Sequence, residues 1–223
     1  MSRPKSDGRI TYVVGYTGSG KTTLLRDVLK PSQRLLVWDG KAEWGRSFGC
    51  HVVTNPKELL KFIVPGAPPA RVSYRVPVSR EAFEQFARLA WLYCQAHGGD
   101  VLIEELADVT TSSKAPLPWG EICRKSRAFG SNVYVATQRP QEVDKTVQGN
   151  ASFFIVGMMP DVVDAKYCAL RLAACDPRQV SALAPYQFIM RDARNRKVTA
   201  FTINKSGVRK PMALPAVRAN LRK

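Results

Sequence analysis

Residues 15–22, with the sequence GYTGSGKT, have the types and spacing of a phosphate-binding loop. They fit the pattern GxxxxGK[ST], in which glycines let successive backbone N–H groups turn inward around phosphates. Lys21 is expected to reach the β- and γ-phosphates, and the Thr22 hydroxyl is expected to coordinate Mg²⁺. The segment therefore predicts a site for ATP with Mg²⁺ formed by Gly15, Tyr16, Thr17, Gly18, Ser19, Gly20, Lys21, Thr22 and Thr23.

Two adjacent acids, Glu104 and Glu105, follow the apolar run DVLI at residues 100–103. Acids at the end of a strand beside a phosphate-binding loop suit hydrolysis. The first acid, Glu104, would hold Mg²⁺ through its water shell, and the second, Glu105, would orient and deprotonate the attacking water. Small-molecule kinases do not need this second acid, so its presence favours an ATPase.

Gln138 occupies a third position of this kind, just after the apolar run NVYVA at residues 132–136. An amide can donate a hydrogen bond to phosphate while it accepts one from water. Gln138 is therefore predicted to touch the γ-phosphate and to respond to its loss.

The elements that must position these residues alternate between short apolar strands and helices, which predicts an α/β fold with a mostly parallel central sheet flanked by helices. A strand over Ile10–Val14 and a helix over Lys21–Leu29 flank the phosphate-binding loop. The other predicted strands are at residues 34–39, 51–54, 70–76, 100–103, 132–136 and 153–156, and residues 187–191 and 197–202 are predicted to form an antiparallel C-terminal pair. The other predicted helices are at residues 56–62, from Ser79 to Gly98, and at residues 119–129.

The composition is that of a globular protein with one domain, apart from its charge. Lys and Arg number 34 against 18 acids, a net charge of +16, which favours a polyanionic partner such as nucleic acid or an anionic membrane surface. No apolar run reaches the ~18 residues of a membrane-spanning helix, and residues 1–9 contain no export signal. The five cysteines form no CxxC pair, which predicts buried, reduced thiols in a cytoplasm and argues against zinc.

Four sequence blocks resemble the FtsK–HerA superfamily of DNA-pumping ATPases. They are GYTGSGKTT (15–23), VWDGKAEW (37–44), VLIEELAD (101–108) and RKSRAFGSNVYVATQRP (124–140). The compact length is similar to that of the genome-packaging ATPases of tectivirus-like phages, tailless icosahedral viruses with an internal membrane. The resemblance implies a RecA-like (ASCE) P-loop domain over residues 1–203, followed by a basic tail over residues 204–223. One departure is Glu104, where the family usually has Asp.

The resemblance also implies a ring, expected to be a hexamer, in which an arginine from one subunit completes the ATP site of the next. Arg124 and Arg127 precede the Gln138 strand, where the family places such residues, and Arg127 is favoured. The implied activity is ATP-driven movement of double-stranded DNA without sequence preference, in the virion and the host cytoplasm. The basic tail could grip DNA or dock on portal proteins, the capsid vertex or the inner membrane. Two alternatives stay open: a cellular DNA translocase of the same superfamily, and a nucleotide-dependent assembly scaffold.

Overall fold

A computed structural model describes residues 8–113, 115–173 and 175–216. Within these residues ten strands form one sheet. The strands are β1 (Ile10–Val14), β2 (Leu35–Trp38), β3 (His51–Val53), β4 (Arg71–Tyr74), β5 (Asp100–Ile103), β6 (Val133–Thr137), β7 (Phe153–Val156), β8 (Gln187–Asp192), β9 (Lys197–Ile203) and β10 (Arg209–Met212).

The sheet confirms the predicted fold class. Its strand order is β10-β9-β8-β7-β1-β6-β5-β2-β4-β3, and the seven strands from β7 to β3 are parallel. Val14 at the end of β1 lies beside Thr137 of β6 and Val156 of β7. Ile103 at the end of β5 lies beside Trp38 of β2. The segments that follow β1, β2, β5, β6 and β7 therefore emerge at the same carboxyl edge of the sheet.

The predicted C-terminal pair is part of a three-stranded antiparallel group, because β10 adds to β8 and β9. The expectation of an extended tail from residue 204 is therefore wrong for Arg209–Met212. The turn before this strand is held by hydrogen bonds between Asn204 and Val208, and the Arg209 guanidinium binds Asp27 at 2.8 Å. Residues 217–223 of the predicted tail lie outside the described residues.

The helices cover both faces of the sheet. They are α1 (Lys21–Leu29), α2 (Pro56–Ile63), α3 (Arg80–His97), α4 (Leu117–Lys125), α5 (Lys145–Asn150), α6 (Val162–Leu172) and α7 (Pro177–Ser181). Ser79 caps α3, as predicted, because its hydroxyl accepts from the Ala82 N–H. The helix predicted to continue to Phe129 ends earlier, since α4 gives way at Ser126 to a 3₁₀ turn.

Three helices, α5, α6 and α7, were not predicted. Each begins after an aspartate whose carboxylate accepts from N–H groups of the first turn, namely Asp144, Asp161 and Asp176. The elements have only 6, 11 and 5 residues, so α5 and α7 are too short for a helical repeat of apolar residues to be visible. Their capping residues were the available signal.

Side chains of β1 alternate between two hydrophobic clusters. Tyr12 lies in the cluster that packs under α2–α6, and Val13 lies in the cluster under α1. Trp38, only 2 % exposed, anchors the larger cluster by packing against Phe83 and Phe86 at 5.4 Å between ring centroids. Burying side chains of this size contributes roughly 1.5–3 kcal/mol each, so the two clusters fix the sheet that carries the site.

Four cysteines, Cys50, Cys94, Cys123 and Cys168, are buried free thiols, and Cys175 is half-buried. In the described part of the chain, no helix combines the length and the apolar character that crossing a bilayer requires.

Candidate nucleotide site

The predicted phosphate-binding loop lies between β1 and α1 at the carboxyl edge of the sheet. Gly18 and Gly20 have φ values of 77° and 97°, which only glycine adopts readily, and Gly20 directly precedes the first turn of α1. The loop therefore ends at a helix N-terminus, where free N–H groups and the helix dipole favour a phosphate. Thr22 and Thr23 lie in this first turn.

Three neighbouring strands hold the loop in place. The Gly15 N–H donates to the carbonyl of Thr137, the last residue of β6, at 3.2 Å, and the Tyr16 N–H donates to the carbonyl of Met158 after β7, at 2.8 Å. The Ser19 carbonyl accepts from the Tyr186 N–H before β8, at 2.9 Å. Because the backbone of the loop is tied on three sides, its N–H groups are ordered before any ligand arrives.

Lys21 folds back over the loop. Its Nζ donates to the Gly15 carbonyl at 2.6 Å and to the Tyr16 carbonyl at 3.3 Å. Burial lowers the pKa of Lys21 to about 8, and the negative charge of Glu105 opposes that shift. A bound phosphate adds negative charge beside the ammonium, so nucleotide binding is expected to raise the pKa of Lys21 again.

Glu105 lies at the end of β5 within reach of β6. Its backbone has φ 51° and ψ 62°, a left-handed conformation that is uncommon for a residue other than glycine. The carboxylate accepts from the Thr137 hydroxyl at 2.9 Å, the Gln138 N–H at 2.8 Å and the Lys41 ammonium at 2.9 Å. Burial alone would raise the pKa of Glu105, but the bonds from Gln138 and Lys41 outweigh it and leave the pKa below its ordinary value.

Glu104 is in a different environment. It is 7 % exposed, and its Oε2 has no hydrogen-bond partner among the described residues. Burial, and then the charge of nearby Glu43, raise the pKa of Glu104 to about 7. Glu43 also accepts from the Thr22 hydroxyl at 3.2 Å. A bare carboxylate oxygen close to a second carboxylate and a hydroxyl is the donor set that Mg²⁺ prefers, so these residues fit the predicted metal.

The loop after β2 brings two residues to the site that sequence reasoning did not assign, Lys41 and Glu43. Asp39, fully buried, shapes this loop because its carboxylate accepts from the N–H groups of Glu43 and Trp44. The same carboxylate pairs with Arg75 at 2.9 Å. Removing one partner of a buried pair costs about 3–5 kcal/mol, and the low end applies because the Arg75 side chain is 33 % exposed. The available signal was the block VWDGKAEW, which contains Asp39, Lys41 and Glu43.

Gln138 joins the phosphate-binding loop to the acid. Its Nε2 donates to Glu105 Oε2 at 3.0 Å, and its Oε1 accepts from the Thr17 hydroxyl at 2.6 Å. A movement of Thr17 or of Glu105 is therefore transmitted to the other residue through the side chain of Gln138.

The structure does not bring Arg124 or Arg127 to the site of their own chain. Arg124 pairs with Glu121 at 3.4 Å, and Arg127 is exposed in the 3₁₀ turn after α4. This turn leads into the amino end of β6, whereas the phosphate-binding loop follows the carboxyl end of the parallel strand β1. Neither arginine therefore reaches the ATP site of its own chain, so a role in hydrolysis would have to be at the ATP site of a neighbouring subunit.

A phosphate-binding loop, an acid pair and a polar residue at adjacent carboxyl ends of a mostly parallel sheet define a RecA-like P-loop ATPase. No family model matches the chain. The chain is 37 % identical to Protein P9 of Pseudoalteromonas phage PM2 over 151 residues, which is 66 % of this chain and 67 % of that protein. It therefore belongs to the family of that phage protein.

Solved structures share the fold. The genome packaging NTPase B204 of Sulfolobus turreted icosahedral virus 2, in complex with AMPPCP, aligns with a TM-score of 0.71 and 17 % identity over 87 % of this chain and 97 % of that one. The bacterial conjugative coupling protein TrwB aligns with a TM-score of 0.61 and 10 % identity over 91 % of this chain and 89 % of that one. At these identities the alignments establish the architecture.

Proposed function

We propose that this protein hydrolyses ATP to move double-stranded DNA, and that the DNA is a viral genome entering a preformed capsid. The ATPase part of this proposal rests on one observation: the Glu105 carboxylate is hydrogen-bonded to Gln138 beside a pre-ordered phosphate-binding loop. Kinship with a phage protein and the fold shared with a genome packaging NTPase support the second half.

The residues have distinct roles in hydrolysis. Lys21 exchanges its carbonyl partners for the β- and γ-phosphates, and the N–H groups of the loop bind the phosphate oxygens. Thr22 and Glu104 would hold Mg²⁺, with Glu43 as a third oxygen donor, and the ion would supply positive charge to neutralise the phosphates. Glu105 takes a proton from water as the water oxygen bonds to the γ-phosphorus and the bond to the β–γ bridging oxygen breaks. Gln138 contacts the terminal phosphate and is released when it leaves.

The active assembly is a ring, which we take to be a hexamer, because the arginines expected to neutralise the terminal phosphate, Arg124 and Arg127, lie away from the phosphate-binding loop of their own chain. Arg127 from a neighbouring subunit fills this role. Its side chain is exposed, whereas Arg124 is engaged by Glu121. An arginine at this position stabilises the charge that develops on the transferred phosphoryl group.

The net charge of +16 suits a ring that encloses DNA without reading its sequence. The C-terminal residues 217–223 contain Arg218, Arg222 and Lys223 and no acid, and they supply a contact to DNA, to portal or capsid-vertex proteins, or to the inner membrane. The protein acts at the packaging vertex of the virion and in the host cytoplasm.

DNA binding should weaken linearly in log–log terms with salt, because phosphate contacts release counterions. The expected slope is roughly −0.9 for each phosphate neutralised on a duplex. Replacing Arg218, Arg222 and Lys223 together with Gln should make the slope shallower by up to about 2.7 if all three contact DNA. Fluorescence anisotropy with a labelled duplex of random sequence, repeated at several salt concentrations, measures the slope.

The matched control replaces three exposed lysines elsewhere with Gln, namely Lys57, Lys61 and Lys166. An unchanged slope in the C-terminal variant assigns residues 217–223 to capsid or membrane. An affinity that does not depend on salt, or that depends strongly on sequence, would contradict the proposed pump.

A further inference from the structure

The Glu105 carboxylate has no lone pair left for a water molecule. Oε1 accepts from the Thr137 hydroxyl and the Gln138 N–H, and Oε2 accepts from Lys41 Nζ at 2.9 Å and Gln138 Nε2 at 3.0 Å. An ionised carboxylate offers about four acceptor positions, and all are filled. A general base must point a free acceptor position at the proton that it removes. One donor therefore has to leave before Glu105 can act.

The four donors differ in how firmly they are held. The Thr137 hydroxyl belongs to the last residue of β6, in the middle of the sheet, and is fully buried; the Gln138 N–H belongs to the residue that follows. The Gln138 amide is also held by the Thr17 hydroxyl. Lys41 comes from the loop after β2, its side chain is 39 % exposed, and Glu105 is its one hydrogen-bond partner among the described residues. Moving the Lys41 side chain away therefore breaks fewer contacts than moving any of the other donors would.

The arrangement of charge indicates where the Lys41 ammonium can go. Lys41 lies close enough to Lys21 that, after burial, its charge contributes to the lowered pKa of Lys21. A triphosphate on the loop places several negative charges beside both ammonium groups. Lys41 has a flexible four-carbon stem and acts as a mobile point charge. The terminal phosphate therefore competes with a single carboxylate for this cation, and a diphosphate lacks that group.

We propose that Lys41 is a positioning residue that holds Glu105 inactive and releases it by transferring its ammonium to the terminal phosphate of bound ATP. This inference rests on the proposed ATPase function. Once the ammonium has moved, Oε2 keeps the Gln138 bond and gains a free acceptor position for the attacking water. Loss of the phosphate returns Lys41 to Glu105. The exchange makes the base available only when a triphosphate is present.

Nucleotide binding tests the exchange without relying on turnover. The quantity to measure is the affinity ratio of a non-hydrolysable ATP analogue to ADP, by calorimetry in the presence of Mg²⁺. Lys41→Met should lower this ratio about tenfold, the size of one charge-assisted hydrogen bond, with ADP affinity unchanged. Lys41→Arg should restore most of it. Glu105→Gln should raise the ratio because it frees Lys41 for the phosphate, and the double variant with Lys41→Met should lose that rise.

Lys57→Met, an exposed lysine on α2, is the matched control and should leave every ratio unchanged. Two results would overturn the exchange: a wild-type affinity ratio in folded Lys41→Met protein, or a rise of the ratio in Glu105→Gln that persists when Lys41 is also replaced by Met. Failure of the underlying ATPase assignment is separate, because it would appear as an unaltered protein that binds the ATP analogue but does not hydrolyse ATP.

Discussion

Glu105→Gln is expected to lower ATP hydrolysis at saturating substrate by about 10²–10⁴-fold, the usual contribution of a general base. Glutamine has nearly the same shape and can still accept hydrogen bonds from Thr137 and Gln138, so the site should stay assembled and ATP should still bind. It cannot remove a proton from water. Phosphate release and equilibrium binding of ATP, measured on the same preparation, separate the two effects.

Lys21→Ala is the informative comparison, because it removes the cation that would meet the β- and γ-phosphates. This variant should lose binding together with turnover while keeping its fold, which circular dichroism checks. If Glu105→Gln hydrolyses ATP at the wild-type rate, the base is another residue. The adjacent acid Glu104 is then the next candidate, because its Oε2 has no hydrogen-bond partner among the described residues.

Arg127→Ala is expected to bind ATP normally and to hydrolyse it about 10³-fold more slowly or worse, as for other arginines supplied in trans. Mixing it with Lys21→Ala should restore part of the activity. In a mixed ring, the intact phosphate-binding loop of one subunit meets the intact arginine of its neighbour. The measurement is the hydrolysis rate across mixing ratios, with subunit exchange followed by fluorescence energy transfer.

Arg124→Ala is the matched comparison on the same segment, and its ion pair with Glu121 predicts a small effect. Absence of rescue at every ratio, with exchange demonstrated, would remove Arg127 from the neighbouring site. If Arg124→Ala is instead the variant that loses hydrolysis and regains it on mixing with Lys21→Ala, Arg124 is the arginine that completes the neighbouring site.

The sequence predicted the parts of the site that depend on local pattern. The loop at residues 15–22 has Gly18 and Gly20 in the left-handed region of backbone conformation, which only glycine adopts easily. Glu105 and Gln138 were predicted as site residues because each lies within two positions after an apolar strand. Parallel strands carry such residues to one edge, so adjacency in space followed from the fold class.

The parts that were missed depend on pairing between distant residues. Lys41 contacts Glu105, 64 positions away in the sequence, because Asp39 folds the loop after β2 that carries Lys41. The periodicity of apolar residues does not predict such a contact. Strand β10 carries exposed Arg209 and Lys210 and a proline, so its composition is that of a tail. Pairing with β9 and the bond from Arg209 to Asp27 make it a strand, and proline is tolerated because the strand lies at the sheet edge.

The central claim is that ATP hydrolysis is coupled to duplex DNA. The most direct test is the steady-state ATPase rate of the wild-type protein with and without linear duplex DNA of mixed sequence, with assembly followed by light scattering in the same sample. We expect hydrolysis that speeds up on addition of DNA, slows again at high salt and is lost in Glu105→Gln. An assembled protein whose ATPase rate is the same with and without DNA would contradict it and would favour a nucleotide-dependent scaffold.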